Sequence, residues 1–361
     1  MPQGSTLGPL LYILYIGPLY DIAKKYNLDT HMYADDLQLV CTFKPGVDYQ
    51  SQVKILEECL CEIKLWMSSN FLKLNTNKTE IMLIGSRANL ISFSHVSAHV
   101  GNDLIQSCDS VKSLGVKLQS NLSMEKFVND KCRVISHYLR KLSKVKKFLT
   151  RDSCKTIVHA MIFSKLDYCN SLLADIPNYL CDRLQRLMNW SARLICNLGK
   201  FDHVTPSLIN LHWLPVRQRI NFKILVLVFN AVKNVCPDYI SNILDIYTPC
   251  RDLRSSDGVL LHVPRVRYKQ TDRSIQCFGP KLWNDLPFEI RNCSNLKIFK
   301  KIIKNLFLFH SLLLTLGSCG WALSVGLKFA AYACNYWSAC NFLKCLSICF
   351  ILPPGLFRKG A

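Results

Sequence analysis

A chain of 361 residues is long enough for two domains, or for one domain and an appendage. With 50% hydrophobic and 19% charged residues it can bury a core, which excludes wholesale disorder. The net charge of +20 favours a polyanionic partner, nucleic acid or an anionic membrane surface. The 18 cysteines are spread along the chain without a Cys-x-x-Cys pair, so free thiols in a reducing compartment are expected rather than zinc sites or a disulfide scaffold. An apolar stretch over 7–20 lacks a basic leader and a small-residue cleavage site, which argues against a secretory signal and for an intracellular protein of the cytoplasm or nucleus.

In chain order, Ser5 or Thr6 can cap a first helix with Pro9 in its first turn. That helix should end at Gly17-Pro18, because the residue before a proline avoids the helical region. His31-Met32-Tyr33 and Leu37-Gln38-Leu39-Val40-Cys41 read as strands and place Ala34, Asp35 and Asp36 at the tip of a hairpin. Two adjacent carboxylates repel unless a cation compensates them. The tip is therefore a candidate hard-cation site, suited to magnesium (Mg2+) with several waters and substrate phosphates. Adjacent strand residues point to opposite faces, so Asp35 and Asp36 should not both grip one ion, and Asp35 is the principal candidate ligand.

Val53, Leu56, Leu60, Ile63 and Met67 recur at helical spacing and predict an amphipathic helix over 49–69. Asn75-Thr76-Asn77 reads as a turn between strand-like pieces 71–74 and 80–84, and 114–118 as another short strand. These pieces imply an α+β fold, with strands too short and local for a doubly wound parallel sheet.

From Ser123 the period becomes helical. Residues 131–151 hold Lys131, Arg133, Arg140, Lys141, Lys144, Lys146 and Lys147 with no acid, beside an apolar stripe of Val134, Ile135, Tyr138, Leu142, Val145 and Phe148. Cations on one helix face can track a phosphate backbone, so these seven are candidate nucleic-acid ligands. Further helices are expected over 152–173, 179–198 and 215–233, the last with proline in its first turn. Residues 251–299 read as irregular and basic, anchored by Phe278, Trp283 and Phe288. Trp190, Trp213 and Trp283 are expected as core or turn anchors rather than base-stacking platforms, and His203, His212 and His262 show no ligand spacing. Residues 306–327 carry no Lys, Arg, Asp or Glu and are long enough for a bilayer, which needs about 20 residues. Lysines at 297, 300, 301 and 304 fit a cytosolic flank, and 329–343 form a second, shorter apolar stretch.

The hairpin and its surroundings resemble the reverse transcriptase of non-LTR (LINE-type, jockey-like) retrotransposons. Pro2-Gln3-Gly4-Ser5-Thr6-Leu7-Gly8-Pro9 looks like the nucleotide-pocket motif of the palm, and Tyr33-Ala34-Asp35-Asp36 like the catalytic hairpin. Trp66-Met67, Asn70, Leu72-Lys73-Leu74-Asn75 and Lys78-Thr79-Glu80 resemble the next palm helix and strand, and Leu114-Gly115-Val116 the strand pair that grips the primer. Leu166-Asp167-Tyr168-Cys169-Asn170, Leu211-His212-Trp213-Leu214-Pro215, Leu253-Arg254-Ser255-Ser256 and the stretch from Phe278 through Trp283-Asn284-Asp285-Leu286-Pro287 resemble the thumb and carboxy-terminal region. The resemblance spans roughly residues 1–307.

It implies a partial right-hand polymerase palm over 1–122, a helical thumb over 123–235, a basic extension over 236–305 and an apolar tail over 306–361. It also implies an RNA template, a DNA primer and Mg2+ at Asp35 and Asp36. Gln3, Gly4, Ser5 and Tyr33 would line the incoming nucleotide, with Lys78 near the departing pyrophosphate. In this family three acids hold the metals, the first on a strand ahead of the Pro-Gln-Gly-Ser motif at which this chain starts. The expectation is a carboxy-terminal fragment, inactive alone for want of that acid and the fingers. The alternative is a non-catalytic basic nucleic-acid-binding protein, with the tail as a membrane contact.

Overall fold

The computed structural model describes residues 5–43, 49–93, 96–248 and 259–316. Two compact units divide the chain, Met1–Lys126 and Phe127–Ala361. The architecture is α+β, with three antiparallel two-stranded hairpins in the first unit and helices dominating the second.

The first unit opens with α1 (Gly8–Ile16) and α2 (Pro18–Lys25). Neither Ser5 nor Thr6 caps α1; Leu7 occupies the N-cap and no side chain bonds there. The helix ends at Gly17-Pro18 as expected, but Gly17 keeps helical angles, φ −46° and ψ −45°, and leads directly into α2. Glycine has no Cβ to meet the following proline ring, which removes much of the clash behind the usual avoidance.

β1 (Asp29–Tyr33) and β2 (Asp36–Val40) pair with Met32 opposite Leu37 and Tyr33 opposite Asp36. Burial alternates along both strands, so Thr30, Met32, Leu37 and Leu39 face inward. α3 (Tyr49–Ser69) has the bounds its apolar spacing predicts. The core joins Ile16, Leu19, Ala23 and Leu28 to Cys59 and Ile63 of α3, with Met32, Leu37 and Leu39 packed against it. Because strand side chains alternate, that seating fixes which residues the hairpin turns outward.

After α3 the expected strands 71–74 and 80–84 do not form. Asn70 Nδ2 donates to Trp66 O at 2.8 Å and Leu72 N to Met67 O at 2.8 Å, closing the helix and leaving Phe71 at φ +58°. A 3-10 turn over Thr76–Lys78 follows, and Ile81 makes a single parallel bridge to Ser107. A ladder needs a partner along its length, and here the pairing stops after one bridge. α4 (Arg87–Ser92) is capped by Ser86, whose side chain accepts from Asn89 N. The hairpins β3 (Ser97–Val100)/β4 (Asp103–Gln106) and β5 (Ser110–Ser113)/β6 (Val116–Gln119) complete the unit. Leu114-Gly115, expected within a strand, is the β5–β6 turn, with φ +46° and +79°, the two positive angles of a type I′ turn.

The second unit is built on α5 (Glu125–Val145), α6 (Arg151–Val158), α7 (Ser164–Asp167), α8 (Asn178–Cys196), α9 (Thr205–Asn210) and α10 (Val216–Val232). The single helix expected over 152–173 is interrupted by a π-helical stretch, His159–Phe163, and ends where Cys169 turns left-handed at φ +48°. Pro215 is the N-cap of α10 rather than part of its first turn. Short α11 (Asp238–Ser241) and α12 (Lys269–Asp272) precede α13 (Ile275–Asn284), α14 (Phe288–Arg291) and α15 (Leu296–Leu316).

The region read as irregular therefore holds a helix with Pro280 inside it. α13 packs on α10 through Gly279, where an added Cβ would lie 2.9 Å from Val228 Cγ2. Trp283 is fully buried and donates from Nε1 to Val259 O at 2.9 Å. Asn284 accepts from Leu261 N at 3.0 Å and donates to Leu261 O at 2.8 Å, pairing with that backbone as a strand would. Trp213 is also buried, edge-on to Phe163 at 4.4 Å.

The expected span 306–327 begins inside α15, whose Phe299, Ile303 and Leu308 are buried. Residues 317–361, including the second apolar stretch, lie outside the described residues. Among the described residues no helix is long and apolar enough to cross a membrane.

Candidate functional site

Two groups of candidate residues exist, one in each unit. In the first unit the inward seating of Met32, Leu37 and Leu39 turns the tip of β1–β2 to solvent, so Tyr33, Asp35 and Asp36 are all exposed. Tyr33 and Asp36 pair directly across the hairpin, and Asp35 sits in the two-residue turn. Ala34, the other turn residue, takes φ +51°, a left-handed conformation that costs a non-glycine residue about 1 kcal/mol.

Two residues further along β2, Gln38 shares the outer face with Asp36 and donates from Nε2 to Ser113 Oγ of β5. That contact joins the acidic hairpin to the β5–β6 hairpin, a neighbour that sequence reading missed because it took 114–118 for one strand. Elsewhere in the unit, Glu62 of α3 accepts from Lys25 Nζ at 2.8 Å and Tyr26 Oη at 2.7 Å. Those bonds hold the Glu62 carboxyl below its ordinary range, while Glu62 pushes the Tyr26 phenol up to about 12.

Of the remaining first-unit candidates, Ser5 lies at the start of the described chain, and Gln3 and Gly4 lie outside the described residues. Lys78 is exposed at the end of its 3-10 turn.

Asp35 and Asp36 offer the hard oxygen donors that magnesium prefers. A two-ion centre needs more, since it clamps both the attacking and the leaving oxygen. Among the described residues no group of three or more His, Cys, Asp or Glu side chains could hold a metal ion. Two exposed carboxylates on successive residues therefore do not fit a resident two-metal centre by themselves.

In the second unit α5 separates its faces cleanly. Phe127, Val128, Cys132, Ile135, Leu139 and Leu142 are buried, whereas Arg133, Arg140, Lys141 and Lys144 are exposed, as is Lys147 beyond the helix. Val134, Val145 and Phe148, expected in the apolar stripe, are exposed instead, and Leu139, not expected there, is buried. Arg133 pairs with Asp130 at 2.8 Å, one turn earlier. Lys146 is half-buried and donates to Asn197 Oδ1 at the end of α8.

Lys131 departs from the basic stripe altogether. It is 7% exposed, and its Nζ donates to Tyr168 O at 2.6 Å and Leu166 O at 3.3 Å, with the Phe127 ring 4.5 Å away. Burial pushes its ammonium down to about 8. A lysine so enclosed fastens α5 to the end of α7 and is unavailable to a phosphate. Asp167, in the same Leu166–Asn170 stretch, accepts a two-pronged contact from Arg219 of α10, whose guanidinium lies 4.5 Å from the Phe163 ring. The stretch that resembled a thumb motif is thus a helix junction.

No curated protein and no solved structure matches the chain. Residues 1–118, which hold the acidic hairpin, match the family model described as reverse transcriptase (RNA-dependent DNA polymerase), and that match supports a reverse transcriptase relationship for this segment.

Proposed function

We propose that the chain is a carboxy-terminal piece of a LINE-type, jockey-like retrotransposon reverse transcriptase, comprising half a palm, a helical thumb and a basic extension. The observation that carries this reading is the reverse transcriptase match over 1–118 together with the solvent-facing Asp35 and Asp36 at the tip of β1–β2. The intact polymerase would extend a primer 3′-hydroxyl on an RNA template with magnesium at the hairpin acids. This chain alone does not extend a primer, because two carboxylates do not make a two-ion centre. A primer-extension assay with Mg2+ or Mn2+ tests both halves of the statement. Background incorporation is expected; template-dependent extension that Asp35→Ala abolishes would show a working polymerase.

A second reading, of nucleic-acid binding without catalysis, rests on a separate observation: the cations on the solvent face of α5. Contacts of this kind release counterions, so affinity for RNA or DNA should fall steeply as salt rises. Asp35→Ala with Asp36→Ala should leave that binding intact. The triple reversal Arg140→Glu, Lys141→Glu and Lys144→Glu should weaken it about tenfold or more at moderate salt.

A further inference from the structure

The end of α8 and the segment after α5 enclose an open-sided cleft of about 550 Å³, wholly within the second unit. Trp190, Arg193, Leu194 and Asn197 supply one wall, at positions i, i+3, i+4 and i+7 on a single face of α8 and its C-cap. Lys146 and Lys200 stand among the other lining residues, and no acidic side chain is one of them. The cleft thus brings three cations to one indole.

Its parts are held in place. Lys146 bonds to Asn197, the left-handed residue that ends α8. Arg193 Nη2 donates to Asp202 O at 3.2 Å, and the Asp202 carboxylate accepts from Gly199 N at 2.7 Å, a bond within the loop that carries Lys200. Arg193 Nε is buried and finds no hydrogen-bond partner. Beside lining residues in the chain stand Phe201, 92% exposed under Lys200, and Phe148, two positions after Lys146 and 78% exposed under Lys147. Water-facing aromatics next to cations are the two ingredients of sequence-tolerant single-strand binding, in which bases stack and phosphates are neutralised.

We propose that this cleft binds single-stranded nucleic acid, with an unpaired base against Trp190 and flanking phosphates on Lys146, Arg193 and Lys200. The proposal deepens the nucleic-acid-binding reading of α5 and rests on it, because Lys146 follows that helix directly. It adds a preference that the α5 face cannot supply. A row of cations takes duplex and single strand alike, whereas an indole platform needs an unstacked base.

The test is fluorescence-anisotropy binding of the full chain to labelled oligo(U) of about 12 nucleotides, near the ~4–16 nucleotide footprint of single-strand sites, and to a duplex of equal length. Trp190→Leu should weaken oligo(U) binding roughly fivefold or more, as expected for loss of one stacked base, and leave duplex binding within twofold. Trp190→Phe, which keeps a ring, should retain most of the single-strand affinity. Unchanged oligo(U) binding by Trp190→Leu, or an equal loss on both probes, overturns the proposal. Should Trp190→Leu not fold, the exposed Lys200→Ala decides: the salt slope for oligo(U) should fall by about 0.7, the value of one single-strand phosphate, and an unchanged slope counts against the cleft. Polyglutamate that displaces oligo(U) as well as an oligonucleotide of equal charge would make this a general acidic-polymer surface and also overturn it. The α5 reading fails separately, if its triple reversal leaves duplex binding intact while Trp190→Leu still removes single-strand affinity.

Discussion

The two units solve the burial problem to different degrees. The second closes around large side chains: Trp283, Phe229 and Phe299 are fully buried, with the last two rings stacked 4.4 Å apart. The first has a small core and three separate two-stranded hairpins, and a lone two-stranded hairpin is marginally stable in water. Its α1 is apolar nearly throughout, yet Leu10, Leu11, Ile13 and Leu14 are exposed. The unit that matches a polymerase family thus exposes a run of apolar residues along one helix, while the unit without a family match has the fuller core, although it too leaves single aromatics such as Phe148 and Phe201 exposed. Resemblance in sequence and completeness of packing are separate properties here.

If stability resides in the second unit, the largest effects follow from opening its core. Trp283→Ala removes an indole that touches Phe299 and donates to Val259 O, and should cost about 3–5 kcal/mol. Urea unfolding followed by circular dichroism should show two transitions, with this variant moving only the later one. Ile63→Ala, in the small core of the first unit, should move only the earlier. A single transition shifted by both variants would dissolve the distinction between the units.

Lys131 gives a smaller and more selective test inside the second unit. Its ordinary value is 10.5 and burial lowers it to about 8 in the fold, so the unfolded chain binds more protons between those two values. Its contribution to stability is therefore complete above about 10.5 and is lost as pH falls towards 8, by up to about 3 kcal/mol. Buried thiols such as Cys132 and Cys181 are pushed up and act in the opposite direction as pH rises, so the wild-type profile alone does not isolate the lysine. The difference between wild type and Lys131→Met does. That difference should change between pH 8 and 10.5 and stay flat from pH 6 to 8; a flat difference throughout would show that the lysine is solvated.

These contrasts also explain what could be read from sequence. α3 was legible to its end residues because its apolar positions repeat at helical spacing. The acidic hairpin was legible because alternation in Leu37–Leu39 announces a half-buried strand, and that seating leaves Asp35 and Asp36 outside. Lys131 was not legible: the carbonyls that enclose it come from Leu166 and Tyr168, more than thirty positions away. α13 was hidden by Gly279-Pro280, locally a breaker pair, which becomes tolerable only when α10 packs against it. The β5–β6 turn was missed because Leu114 takes a positive φ unusual for a branched side chain. Local pattern was sufficient where one element decides its own fate and failed where a distant partner decides it.

The smallest expected effect on stability, and the sharpest on behaviour, lies on α1. Leu14 is 67% exposed and Leu10 is also exposed, so neither contributes much buried area. Leu10→Gln with Leu14→Gln should therefore change unfolding stability by only about 0.5 kcal/mol each or less, the usual range for surface positions. Contiguous exposed apolar residues nevertheless promote association. Light scattering of the full chain at rising concentration should show less self-association for the double variant than for wild type. Loss of more than about 2 kcal/mol would mean that these leucines are core residues, since that is the scale of a buried large-to-small substitution. An unchanged scattering profile would mean that the exposed face of α1 is inert, and the first unit would then be as complete as the second in the respect that matters to the solvent.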